Sequence, residues 1–243
     1  MAQIVSLDVD GMAMSAYLGV PAGAGPHPAL LVEHNQEGLG VFTRDLVEKL
    51  AALGYVALCP DHYHECAPDA DLATRRAALR DKKIFRDMAV SLDYLKARSD
   101  VQPGCIAVIG HCMGGRAAFM AASAFPELKA AVAFYSSGMF MSRGNEGPTP
   151  FELLDKVKCP VLGFFGGKDP LIPLEQVDKL EAALRRFGVA HEFHRYLEAG
   201  HAFASFDSPA NYHADATADS WRRTIDFLAQ HLARHKTIAS AAV

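Results

Sequence analysis

Ile109-Gly110-His111-Cys112-Met113-Gly114-Gly115 is the stretch on which the reading of this sequence turns. The β-branched run at 105–110 reads as a buried strand, and the alanine-rich run at 113–124 as a helix. Between them stands Gly-x-Cys-x-Gly. A strand that turns abruptly into a helix holds its junction residue at a strained φ/ψ and lifts that side chain above the sheet. Glycines two positions to either side remove the side chains that would collide in so tight a turn. The residue lifted here is Cys112. It opens a helix, where the dipole favours a thiolate, and the backbone N–H of Met113 can point at a developing oxyanion. Plain burial accounts for Cys59, Cys66, Cys105 and Cys159. It does not account for three glycines at fixed spacing around a strand-to-helix junction.

A sulfur nucleophile needs a base and a group to orient that base. Phe164-Phe165-Gly166-Gly167-Lys168-Asp169-Pro170 puts Asp169 in a glycine turn after a strand at 160–165, at the end where open α/β sheets build their sites. Glu198-Ala199-Gly200-His201-Ala202-Phe203 puts His201 in the loop after a strand at 191–196. Each alone is an ordinary turn feature. Together they follow the order nucleophile, acid, histidine, each after a strand, which is the chain order of α/β-hydrolases. In that arrangement His201 withdraws the thiol proton and later protonates the leaving group, and Asp169 holds the imidazole tautomer.

The rest of the chain fits that frame. Short apolar runs alternate with helical patterns, which predicts a three-layer α/β-hydrolase fold with a mainly parallel central sheet. Residues 1–243 read as one domain, with 235–243 a frayed tail. Asp10-Gly11 between 4–9 and 14–20 signals a hairpin. Further strands are expected at 29–32, 55–59 and 130–135, and helices at 42–53, 75–97, 174–187 and 216–234. Residues 61–74 read as a polar surface excursion, and 136–150 as a loop over the sheet. His62-Tyr63-His64-Glu65-Cys66 has metal-ligating residue types, but no second pair at zinc spacing follows. It is expected to be an active-site rim or polar loop, with no metal and no cofactor.

Composition narrows the partners. Half the residues are hydrophobic and 21% are charged, enough for a substantial core and unlike a disordered chain. The net charge is −4 with no basic stripe, which argues against nucleic acid. No apolar run approaches the ~20 residues of a membrane helix, and the first twenty residues do not read as a signal peptide. Five cysteines, an odd number without a CxxC pair, suit a reducing cytoplasm. The expected partner is a small-molecule ester or lactone, and the expected assembly a monomer or small homo-oligomer. A different class of function on the same fold is a non-enzymatic ligand or redox sensor using the thiol.

Gly-His-Cys-Met-Gly-Gly at 110–115, Gly-Gly-Lys-Asp at 166–169 and Ala-Gly-His-Ala-Phe at 199–203 resemble the dienelactone hydrolases (carboxymethylenebutenolidases), as does Gly54-Tyr55…Cys59-Pro60-Asp61. The likeness runs in order along nearly the whole chain. It implies an α/β-hydrolase fold, a Cys-His-Asp triad and hydrolysis of an enol-lactone through a thioester. It also implies a second oxyanion donor, the backbone N–H of Gln36, and a glutamate that holds the resting cysteine's proton. The match puts Asn35 at that glutamate's position, with Glu37 displaced by two residues. Either Glu37 substitutes through a shifted loop or the device is absent. Where dienelactone-specific members place a carboxylate-binding arginine after the histidine, this chain has Ser205. Arg75, Arg76, Arg80 and Arg86 are the alternative cations. Asn35, Glu37, His111 and Ser205 are therefore the candidates for gating or substrate contact.

Overall fold

A computed structural model describes residues 2–232. The predicted tail at 235–243 and the last residues of the helix predicted at 216–234 lie outside the described residues. The strands are β1 (Ala2–Val9), β2 (Met12–Gly19), β3 (His27–Glu33), β4 (Val56–Pro60), β5 (Val101–His111), β6 (Ala131–Phe134), β7 (Val161–Gly166) and β8 (His191–Tyr196). They form one eight-stranded sheet in the order β1-β2-β4-β3-β5-β6-β7-β8. β1–β2 and β2–β4 are antiparallel, and every pair from β4 to β8 is parallel. The fold is that of the α/β-hydrolases, as the sequence predicts.

The pattern of apolar residues explains the layering. β3, β4, β6 and β7 are buried at every position, as strands covered on both faces must be. β1 and β2 alternate buried and exposed residues, because one face of this edge hairpin meets water. The helices are α1 (Val41–Ala52), α2 (Leu72–Ala78), α3 (Asp81–Ala97), α4 (Met113–Ala124), α5 (Leu174–Arg186) and α6 (Ala214–His231). α3 and α4 pack on each other and on the central strands. α1 and α6 together wall a cavity on the other face. α4 is buried from Met113 to Ala122, and its alanines let it lie close to the sheet. α5 buries only Val177, Leu180 and Leu184, a single stripe at helical spacing.

Two expectations need correction. The helix predicted at 75–97 is two helices, broken at Leu79 and Arg80, whose backbones are extended. The break serves a buried ion pair. Asp81, freed at the start of α3, takes both terminal nitrogens of Arg116 at 2.7 and 2.8 Å. Arg116 comes from the otherwise apolar α4 and is 1% exposed. It also donates to the carbonyls of Gly138 and Met141, and Asp81 accepts from the N–H of Arg143. One ion pair thus ties the 136–143 loop to the helix after Cys112. The second correction concerns 61–74. Its first residues are no surface excursion, for His62 and Tyr63 are buried. They pack beneath the loop after β3.

Candidate active site

Three strand ends converge at the carboxyl edge of the sheet. β5 ends in Cys112, at φ 58° and ψ −114°, the strained geometry that a strand-to-helix elbow requires. A Cβ on Gly110 would collide with the carbonyl of Gly114, and one on Gly114 with the carbonyl of Glu33. The two glycines are thus demanded by close backbone approach, and the side chain between them projects into open space. β7 ends in the turn that carries Asp169, and β8 is followed by the turn that carries His201.

The structure brings these three side chains together. His201 Nε2 lies 3.0 Å from Cys112 Sγ, and His201 Nδ1 lies 2.7 Å from Asp169 Oδ2. The other carboxylate oxygen of Asp169 accepts from the N–H groups of Leu171 and Ile172, at 2.8 and 3.2 Å. Asp169 is therefore fixed on both oxygens, and its side chain is 1% exposed against 15% for His201. Burial disfavours an imidazolium at this site, but the bonds to Asp169 and Cys112 outweigh it and hold the His201 pKa up at about 9. Burial likewise disfavours a thiolate. The hydrogen bond and charge of His201, then bonds from the Ser137 hydroxyl and the Met113 N–H, nevertheless bring Cys112 below its ordinary value. Both shifts favour charge on the sulfur and on the imidazole.

Cys112 opens onto a cavity of about 450 Å³. Asn35, Gln36, Glu37, Met113 and Ser205 all line it. His111 does not. Alternation along β5 sends its ring to the opposite face, where it stacks on Phe134 at 4.1 Å and lines a separate cavity of about 250 Å³ between α1 and α6. Burial pushes its pKa down to about 3, so the ring is neutral. Of the candidate arginines, Arg76 alone reaches the cavity at Cys112. Among the described residues no group of His, Cys, Asp or Glu is arranged to hold a metal ion. No helix among them is long and apolar enough to cross a membrane.

Ser137 and Arg143 are among the lining residues that sequence reasoning missed, whereas Tyr135 was a candidate for the pocket wall. Ser137 Oγ stands 3.7 Å from Cys112 Sγ. Its signal was legible, because it follows β6, the strand beside the nucleophile's. Tyr135 lines the cavity from the same loop at φ 35°. Arg143 reaches the cavity from far along the 136–150 loop. Nothing local marks it, since its placement depends on the Asp81–Arg116 pair.

A model of the dienelactone hydrolase family matches residues 14–232. The chain belongs to that family. It is 31% identical over 232 residues to a Methylorubrum extorquens protein named as a candidate carboxymethylenebutenolidase, covering 91% of this chain and 78% of the relative. It is 29% identical over 240 residues to a Bradyrhizobium protein named as a candidate 2-oxo-3-(5-oxofuran-2-ylidene)propanoate lactonase, with 96% of each chain covered. Among solved structures, a candidate dienelactone hydrolase from Klebsiella pneumoniae superposes with a TM-score of 0.87 at 31% identity. That match covers 95% of this chain and 98% of the other. As a member of the dienelactone hydrolase family this chain is a hydrolase, which sets aside the sensor alternative as its principal role.

Proposed function

We propose that this hydrolase opens carboxylic esters or lactones through a thioester on Cys112. The observation that carries the reading is the chain of contacts from Cys112 Sγ through His201 to Asp169 at the mouth of the 450 Å³ cavity. The thiolate attacks the acyl carbon, and the carbonyl oxygen becomes an oxyanion. The N–H groups of Met113 and Gln36 are the donors proposed to meet it. As the intermediate collapses, the C–O bond to the leaving oxygen breaks and that oxygen takes the proton from His201 Nε2. With a lactone the leaving hydroxyl stays on the same molecule. Water then gives its proton to His201 and attacks the thioester. The Cys112 sulfur leaves as thiolate and the acid is released. Asp169 stabilises the imidazolium at both stages.

Two cations on the wall can meet a carboxylate of the substrate. Arg76 and Arg143 both line the cavity beside the carboxylates Glu37 and Asp207. The Arg143 pKa is lowered by burial first and then by repulsion from Arg116 and Arg76, and its Nε has no partner. A substrate carboxylate there relieves that repulsion. The reading is tested by incubating the purified protein with a panel of p-nitrophenyl esters and unsaturated lactones, with and without a carboxylate. Intact-mass spectrometry follows acyl adducts on the same samples. Turnover with an acyl mass that maps to Cys112 supports the reading. Turnover that survives Cys112→Ala would sink it.

A further inference from the structure

The run His62-Tyr63-His64, which resembled a metal cluster in the sequence, lies outside the catalytic cavity. It nevertheless bears on both groups that can meet an oxyanion. The Tyr63 hydroxyl donates to the carbonyl of Gln36 at 3.0 Å and lies 3.8 Å from the sulfur of Met113. One oxygen thus touches both donor residues. The loop closes tightly on that ring. Gly38 sits at φ +68°, and a Cβ there would stand 3.3 Å from a Tyr63 ring carbon.

His34 grips the same loop from the other side. Its Nε2 accepts the backbone N–H of His62 at 3.1 Å, so its proton is on Nδ1, which donates to the Asn35 carbonyl at 2.6 Å. Burial, then the charge of His62, pushes the His34 pKa down to about 3, consistent with a ring that stays neutral. The Asn35 side chain in turn accepts the Glu37 N–H at 2.9 Å. The peptide of Gln36 is therefore fixed on both flanks.

The residues behind these contacts are anchored by charge. His62 donates from Nε2 to Glu33 at 2.6 Å and from Nδ1 to Asp87 at 3.1 Å. The three side chains are 1% exposed or less. Glu33 is the last residue of β3, so the anchor is built into the strand from which the oxyanion loop departs.

We infer that Tyr63 and His34 are positioning residues that aim the backbone N–H groups of Gln36 and Met113 at the oxyanion, with the Glu33–His62–Asp87 cluster as their foundation. The inference rests on the acyl-transfer reading above. Neither side chain touches substrate. Their effect is confined to steps in which a carbonyl oxygen gains charge.

That confinement supplies the test. Acylation by p-nitrophenyl acetate forms an oxyanion, whereas alkylation by iodoacetamide displaces iodide at a saturated carbon and forms none. Both consume the same thiolate. Tyr63→Phe removes one oxygen and is expected to lower kcat for p-nitrophenyl acetate roughly tenfold, a fraction of the 10²–10³ lost with an oxyanion donor itself. KM and the iodoacetamide rate should stay within about twofold. His34→Phe should lower kcat further, and His34→Gln, which retains a donor, should recover part of it. Should His34→Phe fail to fold, Tyr63→Phe decides alone. An unchanged kcat in Tyr63→Phe overturns the inference, and so does a parallel fall in acylation and alkylation. A wild type that alkylates but never acylates overturns the acyl-transfer reading and this inference together. An active wild type beside an indifferent Tyr63→Phe overturns the inference alone.

Discussion

Two carboxylate–imidazole clusters lie near the carboxyl edge of the sheet. In one, His201 stands between Asp169 and Cys112. In the other, His62 stands between Glu33 and Asp87. Both imidazoles are raised in pKa, His201 to about 9 and His62 to about 10, against the burial that opposes each charge. The difference lies in what each second nitrogen faces. His201 spends one nitrogen on an acid and offers the other to a sulfur at the wall of an open cavity. His62 spends both on acids and is sealed. A proton on His201 can be passed to a substrate, and a proton on His62 has nowhere to go. The same acid–base unit thus opens onto a cavity in one place and is walled in at the other, and the second partner together with its access separates the two.

The largest effect expected from breaking the open cluster is on rate. Cys112→Ala should lower ester hydrolysis on the order of 10⁴-fold or more, while circular dichroism shows an unaltered fold. His201→Ala should lose activity comparably, yet cost only about 1–2 kcal/mol in urea unfolding, because Asp169 keeps its bonds from Leu171 and Ile172. Breaking the sealed cluster should act first on stability. His62→Ala leaves two buried carboxylates without their cation and should cost about 3–5 kcal/mol in urea unfolding. A His62→Ala protein as stable as wild type would erase the distinction.

A smaller, graded effect is expected with pH. Both imidazoles have folded-state pKa values above the ordinary 6.5. The stability they contribute is complete below that value and is lost as pH rises through about 9 for His201 and about 10 for His62. The urea midpoint of the wild type should fall between pH 7 and 10. Hydrolysis should fail above about pH 9, where His201 no longer carries the proton a leaving group needs. The smallest perturbation is a labelling order. Brief exposure of the native protein to iodoacetamide at neutral pH should label Cys112 ahead of Cys59 and Cys159, because burial pushes those two thiols up. Early labelling at either of those residues would show that the depressed thiol is not unique.

The elements that lie close together in the chain were the most legible. The helix at 113–124 and the strand at 191–196 appear with the bounds that their sequence patterns suggest. Cys112, Asp169 and His201 were legible because each occupies a turn directly after a strand, and a parallel sheet gathers such turns at one edge. The 75–97 helix was misread because its periodicity runs unbroken through Leu79 and Arg80. What interrupts it is Asp81 reaching Arg116, 35 residues away. His111 was misplaced because being next to Cys112 in sequence puts a side chain on the opposite face of the strand. His62 was misread because polar residues between a strand and a helix usually face water, and only the approach of Glu33 and Asp87 gives it a buried partner on each side.

By itself, the sequence determined the sheet, its order of turns and the three side chains that meet at its edge. Those follow from short-range patterns: alternation along a strand, helical spacing, and glycines where a backbone must bend sharply. Only the tertiary structure decided which histidine faces a cavity and which is walled in, where the long helix breaks, and that Arg143 joins Arg76 at the site. Those outcomes depend on charges and rings brought together from distant parts of the chain. A residue's local sequence carries no record of what will be packed against it.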